Sequence, residues 1–261
     1  MTISVPKRRV LITNDDGFDA PGIAALIDAA QKIADEIWVV APQLDQSGMG
    51  QSVTLNNPLR CVPRGEKQWA VSGTPADCVI MATSHLMREN PPELILSGVN
   101  AGSNTGDDIN LSGTLGAAFT GLLMGVPSIG ISLDCASRKM ARWDTARAIL
   151  PDILANFLHE GWDKNHCLSI NLPDVEADKV KGISWTHPAH KTIPSFQVEQ
   201  REDLREKDYY WLYPNQDDTY SDQGSDVAAL ERGQVSVTAL TLDRSVAVIT
   251  APYGKKTAND E

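Results

Sequence analysis

Three short polar segments of this sequence carry side chains that could bind a divalent cation. They are Asn14-Asp15-Asp16-Gly17, Gln46-Ser47-Gly48 and Ser97-Gly98-Val99-Asn100. Carboxylate, hydroxyl and carboxamide oxygens with few charges favour Mg²⁺ or Mn²⁺ over zinc. Adjacent carboxylates such as Asp15 and Asp16 repel each other, and a cation between them removes that repulsion. A simple turn in which an aspartate caps the next helix also explains the first segment.

A glycine- and asparagine-rich segment could bind an anion. It runs from Gly98 to Thr114 and ends in Ser112-Gly113-Thr114, directly before a predicted helix. The free N–H groups and the dipole of a helix N-terminus favour an anion there. A plain N-cap after a flexible loop explains the same residues. The sequence contains no P-loop, no dinucleotide-binding glycine motif, no G-x-S-x-G elbow and no H-E-x-x-H zinc motif.

The elements that position these segments alternate between strands and helices. Short apolar runs predict strands buried in a parallel sheet at Arg9–Thr13, Ile37–Val40, Leu94–Leu96 and Pro127–Ser132. Weaker strand candidates are Ser52–Leu55, Leu59–Val62 and Trp69–Val71. Helices are predicted from Pro21, from Thr74, over Gly113–Met124 and over Ala141–His159. Ligands of an open α/β sheet bind beyond the carboxyl ends of its strands, so we expect the three polar segments to converge at one edge.

The chain changes character beyond about Gly161. Short runs at Leu168–Leu172, Tyr209–Tyr213 and Val235–Leu240 predict strands, and the charged stretch Gln197–Asp208 predicts an exposed segment. We therefore predict an α/β fold with a catalytic core in residues 1–160. Residues 161–261 are expected to form a smaller, strand-rich C-terminal extension that completes a single domain.

Composition excludes several classes of partner. The chain has 261 residues, of which 34 are acidic and 23 basic, giving a net charge of −11. Such a surface repels phosphate backbones, so we expect no binding to nucleic-acid polymers. Four cysteines without a C-x-x-C pair indicate reduced thiols. The uncharged stretch Ile109–Leu133 contains polar residues, glycines and a proline, so we expect no membrane span and a cytoplasmic location.

The order of the motifs makes this chain similar to the SurE family, the stationary-phase survival proteins that act as metal-dependent nucleotidases. The resemblance rests on VLITNDDG at Val10–Gly17, VVAPQLDQSGMGQSVT at Val39–Thr54, PL at Pro58-Leu59, SGTPADCV at Ser72–Val79, LILSGVNAGSNTG at Leu94–Gly106 and SGT at Ser112–Thr114. Weaker matches follow at Asn171–Pro173 and Ser225–Leu240. The strong matches cover the first half of the chain, in the family's order.

The resemblance implies a specific site and fold. It implies one Mg²⁺ or Mn²⁺ per subunit, held by Asp15, Asp16, Ser47 and Asn100, with Asp15 and Asp16 as the catalytic residues. It implies a phosphate pocket around Asn104, Ser112, Gly113 and Thr114. From the position of this turn before a helix, we expect an unbranched Gly113 to let the phosphate approach the backbone. The implied fold is a Rossmann-like three-layer core with a mostly parallel sheet. Its C-terminal extension is expected to form a homodimer or homotetramer. Leu111 departs from the pattern, because many members have an aromatic residue there.

The favoured hypothesis is a divalent-metal-dependent phosphomonoester hydrolase that releases phosphate from nucleoside monophosphates. Its substrates would be 5′-nucleotides, with 3′-nucleotides and short polyphosphate as further candidates. The sequence leaves open whether an aspartate attacks phosphorus or positions a water molecule. A non-catalytic stress protein that binds nucleotides or polyphosphate is the first alternative. A metal-dependent nucleotide-sugar transferase is the second, although no clear D-x-D motif follows a predicted strand.

Overall fold

A computed structural model describes residues 8–191, 196–214, 219–220 and 222–245. The strands are β1 (Arg9–Thr13), β2 (Glu36–Pro42), β3 (Cys61–Gly65), β4 (Gln68–Val71), β5 (Leu94–Ala101), β6 (Ser128–Leu133), β7 (His166–Leu172), β8 (Ile183–Trp185), β9 (His190–Lys191), β10 (Phe196–Glu202), β11 (Asp208–Pro214), β12 (Thr219–Tyr220) and β13 (Val235–Thr241). The α-helices are α1 (Pro21–Ala30), α2 (Pro75–Met81), α3 (Gly113–Leu123), α4 (Trp143–Glu160) and α5 (Asp226–Glu231). One π-helical turn (Ala82–Leu86) and three 3₁₀ turns (Gly106–Asn110, Arg138–Met140 and Ala177–Lys179) complete the described elements.

A nine-stranded sheet forms the centre of the fold, in the order β3-β4-β2-β1-β5-β6-β7-β13-β8. All neighbouring strands run parallel except β3 with β4 and β7 with β13. At the centre of the sheet, Val10 of β1 pairs with Ile37 of β2 on one side and Leu94 of β5 on the other. The carboxyl ends of β1, β2 and β5 therefore lie at the same edge, as the sequence predicts.

Helices cover both faces of the sheet. Successive side chains of β1 point to opposite faces, so each face of this strand packs against a different pair of helices. Val10 and Ile12 belong to a buried apolar cluster that includes residues of α1 and α4. Leu11 belongs to a second cluster, which includes residues of α2 and α3. All three side chains are completely buried. This helix–sheet–helix arrangement confirms the predicted three-layer α/β core.

One of the weaker strand predictions is wrong. Residues 52–55 form no strand, because their polar groups bind the N-terminus of α2 instead of a neighbouring strand. The Thr54 N–H and hydroxyl donate to the two carboxylate oxygens of Asp77, at 2.9 and 2.6 Å. The Thr74 hydroxyl donates to the Ser52 carbonyl at 2.6 Å. This segment is therefore a loop tied to a helix cap.

Residues beyond 161 contribute to the central sheet as well as to separate elements. β7, β8 and β13 extend the sheet past β6. β10 and β11 instead form a separate antiparallel pair, in which Val198 lies opposite Leu212. The exposure predicted for residues 197–208 is confirmed, although β10 occupies part of that stretch. Among the described residues, no helix is both long and apolar enough to cross a bilayer.

Candidate functional site

A cavity of about 490 Å³ opens at the carboxyl-end edge of the sheet. Five of the residues predicted for the site line it: Asp15, Ser47, Asn100, Asn104 and Ser112. Asp16 lines an adjacent cavity of about 360 Å³, and the two cavities share Ala101 and Arg138. The structure therefore brings together side chains that are separated by up to about a hundred residues in sequence.

Asp15 follows β1 directly and is only 4% exposed. The Thr114 hydroxyl, from the first turn of α3, donates to Asp15 Oδ1 at 2.5 Å. Burial raises the pKa of Asp15 to about 6, and the neighbouring Asp16 carboxylate adds to that shift, while the hydrogen bond from Thr114 opposes it. Asp15 is thus a buried carboxylate whose charge the Thr114 hydroxyl and the backbone N–H groups of Asp15 and Thr114 stabilise incompletely.

Asp16 has a side chain only 5% exposed and an oxygen that lacks a hydrogen bond. Its Oδ2 accepts the Ala101 N–H at 3.1 Å. Its Oδ1 lies 2.9 Å from Arg138 Nη2, which is an ion-pair distance, but the pair does not have hydrogen-bond geometry. Burial raises the pKa of Asp16, although the Ala101 N–H and the Arg138 charge both oppose the shift. A cation at Oδ1 would satisfy this carboxylate.

Ser47 reaches the site from the loop that follows β2. The Gln46 N–H donates to the Asp15 carbonyl at 2.8 Å, which holds this loop against the end of β1. The Ser47 hydroxyl donates to Asp45 Oδ1 at 2.6 Å and accepts from Arg138 Nη2 at 2.9 Å. Arg138 Nη2 therefore contacts both the serine oxygen and the Asp16 carboxylate.

Asn100 is placed by an irregularity at the end of β5. The register of β5 against β6 shifts between Ser97 and Asn100. Gly98 makes this possible, because its φ is +136° and a Cβ there would lie 2.2 Å from the Ile131 carbonyl oxygen. The Asn100 amide nitrogen donates to the Gly102 carbonyl at 2.9 Å. Because the amide nitrogen is used in that bond, the amide oxygen is the atom available to bind a ligand.

The four residues predicted for a phosphate pocket divide into two pairs. Asn104 and Ser112 line the cavity. The Asn104 amide donates to Ser132 at 2.7 Å, and the Ser112 hydroxyl caps α3 by accepting the Leu115 N–H at 3.1 Å. Gly113 and Thr114 are buried behind this wall and are not among the residues that line the cavity.

Gly113 is constrained by Asp15. A Cβ at Gly113 would lie 2.7 Å from Asp15 Cβ and 2.9 Å from its Oδ2. The structure gives this glycine a packing role, since any side chain there would clash with the aspartate. Its predicted contact with a phosphate, through the backbone, stays a prediction.

Arg138 is the most prominent residue that sequence reasoning missed. It lies in the turn after β6, and its guanidinium contacts Asp16, Asp45 and Ser47. No motif marks a single arginine in a loop. Its position after a predicted strand, at the edge where the polar segments converge, was the available signal.

Two buried polar residues support the wall of the cavity from behind. Asn171 of β7 accepts the Asn104 N–H at 2.8 Å and donates to the Asn104 carbonyl at 3.2 Å. Asp226, which is 1% exposed, accepts the N–H groups of Gly106 and Ala189 at 2.8 and 2.9 Å. The C-terminal half of the chain therefore fixes the loop that carries Asn104.

Comparisons with known proteins point to one family. The family described as Survival protein SurE matches residues 10–194. The chain is 42% identical over 237 residues to "5′-nucleotidase SurE 1" of Burkholderia lata, covering 91% of this chain and 92% of that protein. It is 40% identical over 250 residues to "5′-nucleotidase SurE" of a Bradyrhizobium species, covering 94% and 98%. The crystal structure of the SurE protein from Aquifex aeolicus is similar, with a TM-score of 0.78 and 34% identity over 91% of this chain and 94% of that one.

Proposed function

The chain belongs to the SurE family, and from that premise we propose that it is a nucleotidase that hydrolyses the phosphomonoester of 5′-nucleoside monophosphates. The names of its relatives support the 5′-nucleotide as substrate. The observation that carries the proposal is a pair of adjacent, buried carboxylates at a cavity on the sheet edge. Such a pair is costly to bury unless a cation neutralises it.

The donor set fits one Mg²⁺ or Mn²⁺ per subunit. The proposed ligands are Asp15, Asp16, Ser47 and Asn100. Asp16 Oδ1 is buried without a hydrogen bond, and the Asn100 amide oxygen is left available by the bond that its nitrogen makes. Two of the four proposed ligands are neutral. All four are oxygen donors, the ligands that hard divalent cations prefer.

The reaction requires an activated water and neutralisation of phosphoryl charge, and a bound divalent cation supplies both. The chain's own residues fix the carboxylates that this chemistry needs. Thr114 holds Asp15 through its hydroxyl, and the Ala101 N–H holds Asp16. Neither carboxylate can turn away without breaking a hydrogen bond in a buried site, so both are pre-organised.

The phosphate is proposed to lie against Asn104, Ser112 and the first turn of α3. The hydroxyl proton of Ser112 is free to donate to a phosphate oxygen, because the oxygen of that hydroxyl accepts the cap hydrogen bond. The second N–H of the Asn104 amide can donate in the same way, since one is used by Ser132. Gly113 contributes a backbone N–H at the helix N-terminus, where an anion is favoured. Thr114 does not contact the phosphate in this proposal, and its role is to hold Asp15 through the hydrogen bond from its hydroxyl.

A phosphate-release assay tests the proposed function. The purified protein would be treated with EDTA, dialysed and assayed with 5′- and 3′-nucleoside monophosphates and short polyphosphate, with and without added Mn²⁺ or Mg²⁺. We expect phosphate release from 5′-nucleotides only when a cation is restored. Assays with 3′-nucleotides and polyphosphate show how wide the substrate range is. Full activity after exhaustive chelation would contradict the cation. Nucleotide binding without phosphate release would favour a non-catalytic binding protein instead.

We also propose that the chain assembles into a dimer or tetramer through β10 and β11. Apolar side chains of this hairpin are widely exposed, with Val198 at 63%, Trp211 at 52% and Leu212 at 66%. An isolated two-stranded hairpin is marginally stable in water, so a second copy that covers it would stabilise it. Light scattering should give two or four times the 28.3 kDa chain mass. Val198→Asp should shift the mass towards one chain, and a wild-type mass of one chain across micromolar concentrations would refute assembly.

A further inference from the structure

The Arg138 guanidinium contacts oxygen atoms that are proposed to bind the cation. Its Nη1 donates to Asp45 Oδ2 at 2.5 Å and its Nη2 donates to Ser47 Oγ at 2.9 Å. The same Nη2 lies 2.9 Å from Asp16 Oδ1. Among the residues that line the two neighbouring cavities, it is the only lysine or arginine. One positive group therefore bridges a loop after β2 and the loop after β1.

Two of the three groups that it contacts are proposed cation ligands. A guanidinium N–H and a divalent cation both use oxygen lone pairs, and the serine oxygen already accepts this N–H while donating its own proton to Asp45. Two positive groups at the same buried carboxylate also repel each other strongly, because screening is weak there. Bridging by Arg138 therefore opposes the binding of a cation to Asp16 and Ser47.

We propose that Arg138 is a positioning residue that competes with the divalent cation, holding Asp16 and Ser47 in the cation-free protein and releasing them when the cation binds. This inference rests on the proposed cation site. The Arg138 side chain is 51% exposed and lies on a short surface turn, so it can leave without unpacking the core. Asp45 remains as its partner after release, since Asp45 is not a proposed ligand.

The competition makes a prediction that an ordinary structural role does not make. If Arg138 only tied the two loops together, its removal would leave Asp16 and Ser47 less well placed and cation binding weaker. If it competes, its removal makes the free ligands more available and cation binding tighter. The two roles therefore move the dissociation constant for a cation in opposite directions.

The test is Mn²⁺ binding to the full chain without nucleotide, measured by isothermal titration calorimetry after chelation. Arg138→Met removes the guanidinium, and Lys139→Met removes the same charge from the neighbouring exposed residue of the same turn. Since hydrogen bonds to a charged group are the strong ones, we expect Arg138→Met to lower the Mn²⁺ Kd about tenfold. Lys139→Met should change it less than about twofold, because exposed charges are screened by salt. Thermal melting shows that both variants are folded.

Three outcomes would overturn the inference. An unchanged or higher Kd in Arg138→Met would mean that the guanidinium does not compete. An equal decrease in Arg138→Met and Lys139→Met would mean that general charge, and not occupancy of the ligands, sets the affinity. Absence of Mn²⁺ binding by both the wild type and Arg138→Met would overturn the proposed cation site itself. The first two results leave the proposed function intact.

Discussion

Replacing Thr114 by valine removes one hydroxyl from a completely buried position and keeps the shape of the side chain. That hydroxyl donates to Asp15 Oδ1 at 2.5 Å, and Thr114 has no exposed surface. A hydrogen bond to a charged group contributes about 1.5–3 kcal/mol to stability. We expect the free energy of unfolding to fall by about 2 kcal/mol at pH 8, which corresponds to a Tm lower by roughly 4–8 °C in a chain of this size.

The effect of Thr114→Val should depend on pH. The hydrogen bond favours the charged form of Asp15, whose pKa burial raises to about 6. Removing the bond therefore raises that pKa further, and the variant loses more stability than the wild type as the pH rises through about 6. In EDTA, the difference in Tm between variant and wild type should be largest at pH 8 and smaller at pH 5.

Thr120→Val is the matched control for this prediction. Thr120 lies on the same helix, is 3% exposed, and donates its hydroxyl to the neutral Gly116 carbonyl at 2.7 Å. We expect its substitution to cost about 1 kcal/mol or less at both pH values, because no charged group loses a partner. Equal destabilisation by Thr114→Val and Thr120→Val at pH 8 would show that the Thr114 hydroxyl does not stabilise a charged Asp15.

Two further substitutions test the first turn of α3. Gly113→Ala places a Cβ 2.7 Å from Asp15 Cβ. We therefore expect the variant to lose about 1–3 kcal/mol of stability and most of its activity. A wild-type Tm and a wild-type kcat/KM would show that the contact is unimportant. Ser112→Ala removes a cap worth about 0.5–2 kcal/mol. If Ser112 also contacts phosphate, kcat/KM falls by tens- to several-hundredfold, of order 2–4 kcal/mol, whereas a change that follows Tm alone indicates a cap.

The central sheet could be predicted from sequence because its strands are buried on both faces. The run Arg9–Thr13 is continuous and apolar, and β1 has the predicted limits. Strand order places the ends of β1, β2 and β5 side by side, so the predicted ligands converge. The motifs identify the candidate ligands, and the parallel arrangement of the strands predicts that these residues lie at the same edge of the sheet.

The parts that escaped prediction depend on contacts between distant segments. In β10 apolar residues alternate with polar ones only at Phe196 and Val198, and the strand forms by pairing with β11. Residues 52–55 have strand-like composition, but the cap of α2 takes their hydrogen bonds. The role of Arg138 depends on carboxylates more than ninety residues away, and that of Asp226 on a backbone N–H 120 residues away. Local composition does not encode such pairs.

The most direct test of the account is kcat/KM for a 5′-nucleoside monophosphate at saturating Mn²⁺ in Asp16→Asn and Asp19→Asn. Asparagine keeps the shape of each side chain and removes one negative charge. Asp19 is 73% exposed and pairs with Arg64, so its loss should change kcat/KM by less than about twofold. Asp16→Asn should lower kcat/KM about a hundredfold or more, because it removes one of the two negative charges proposed to neutralise the cation, while the fold is retained in circular dichroism. Wild-type kcat/KM in a folded Asp16→Asn variant would contradict the proposed centre.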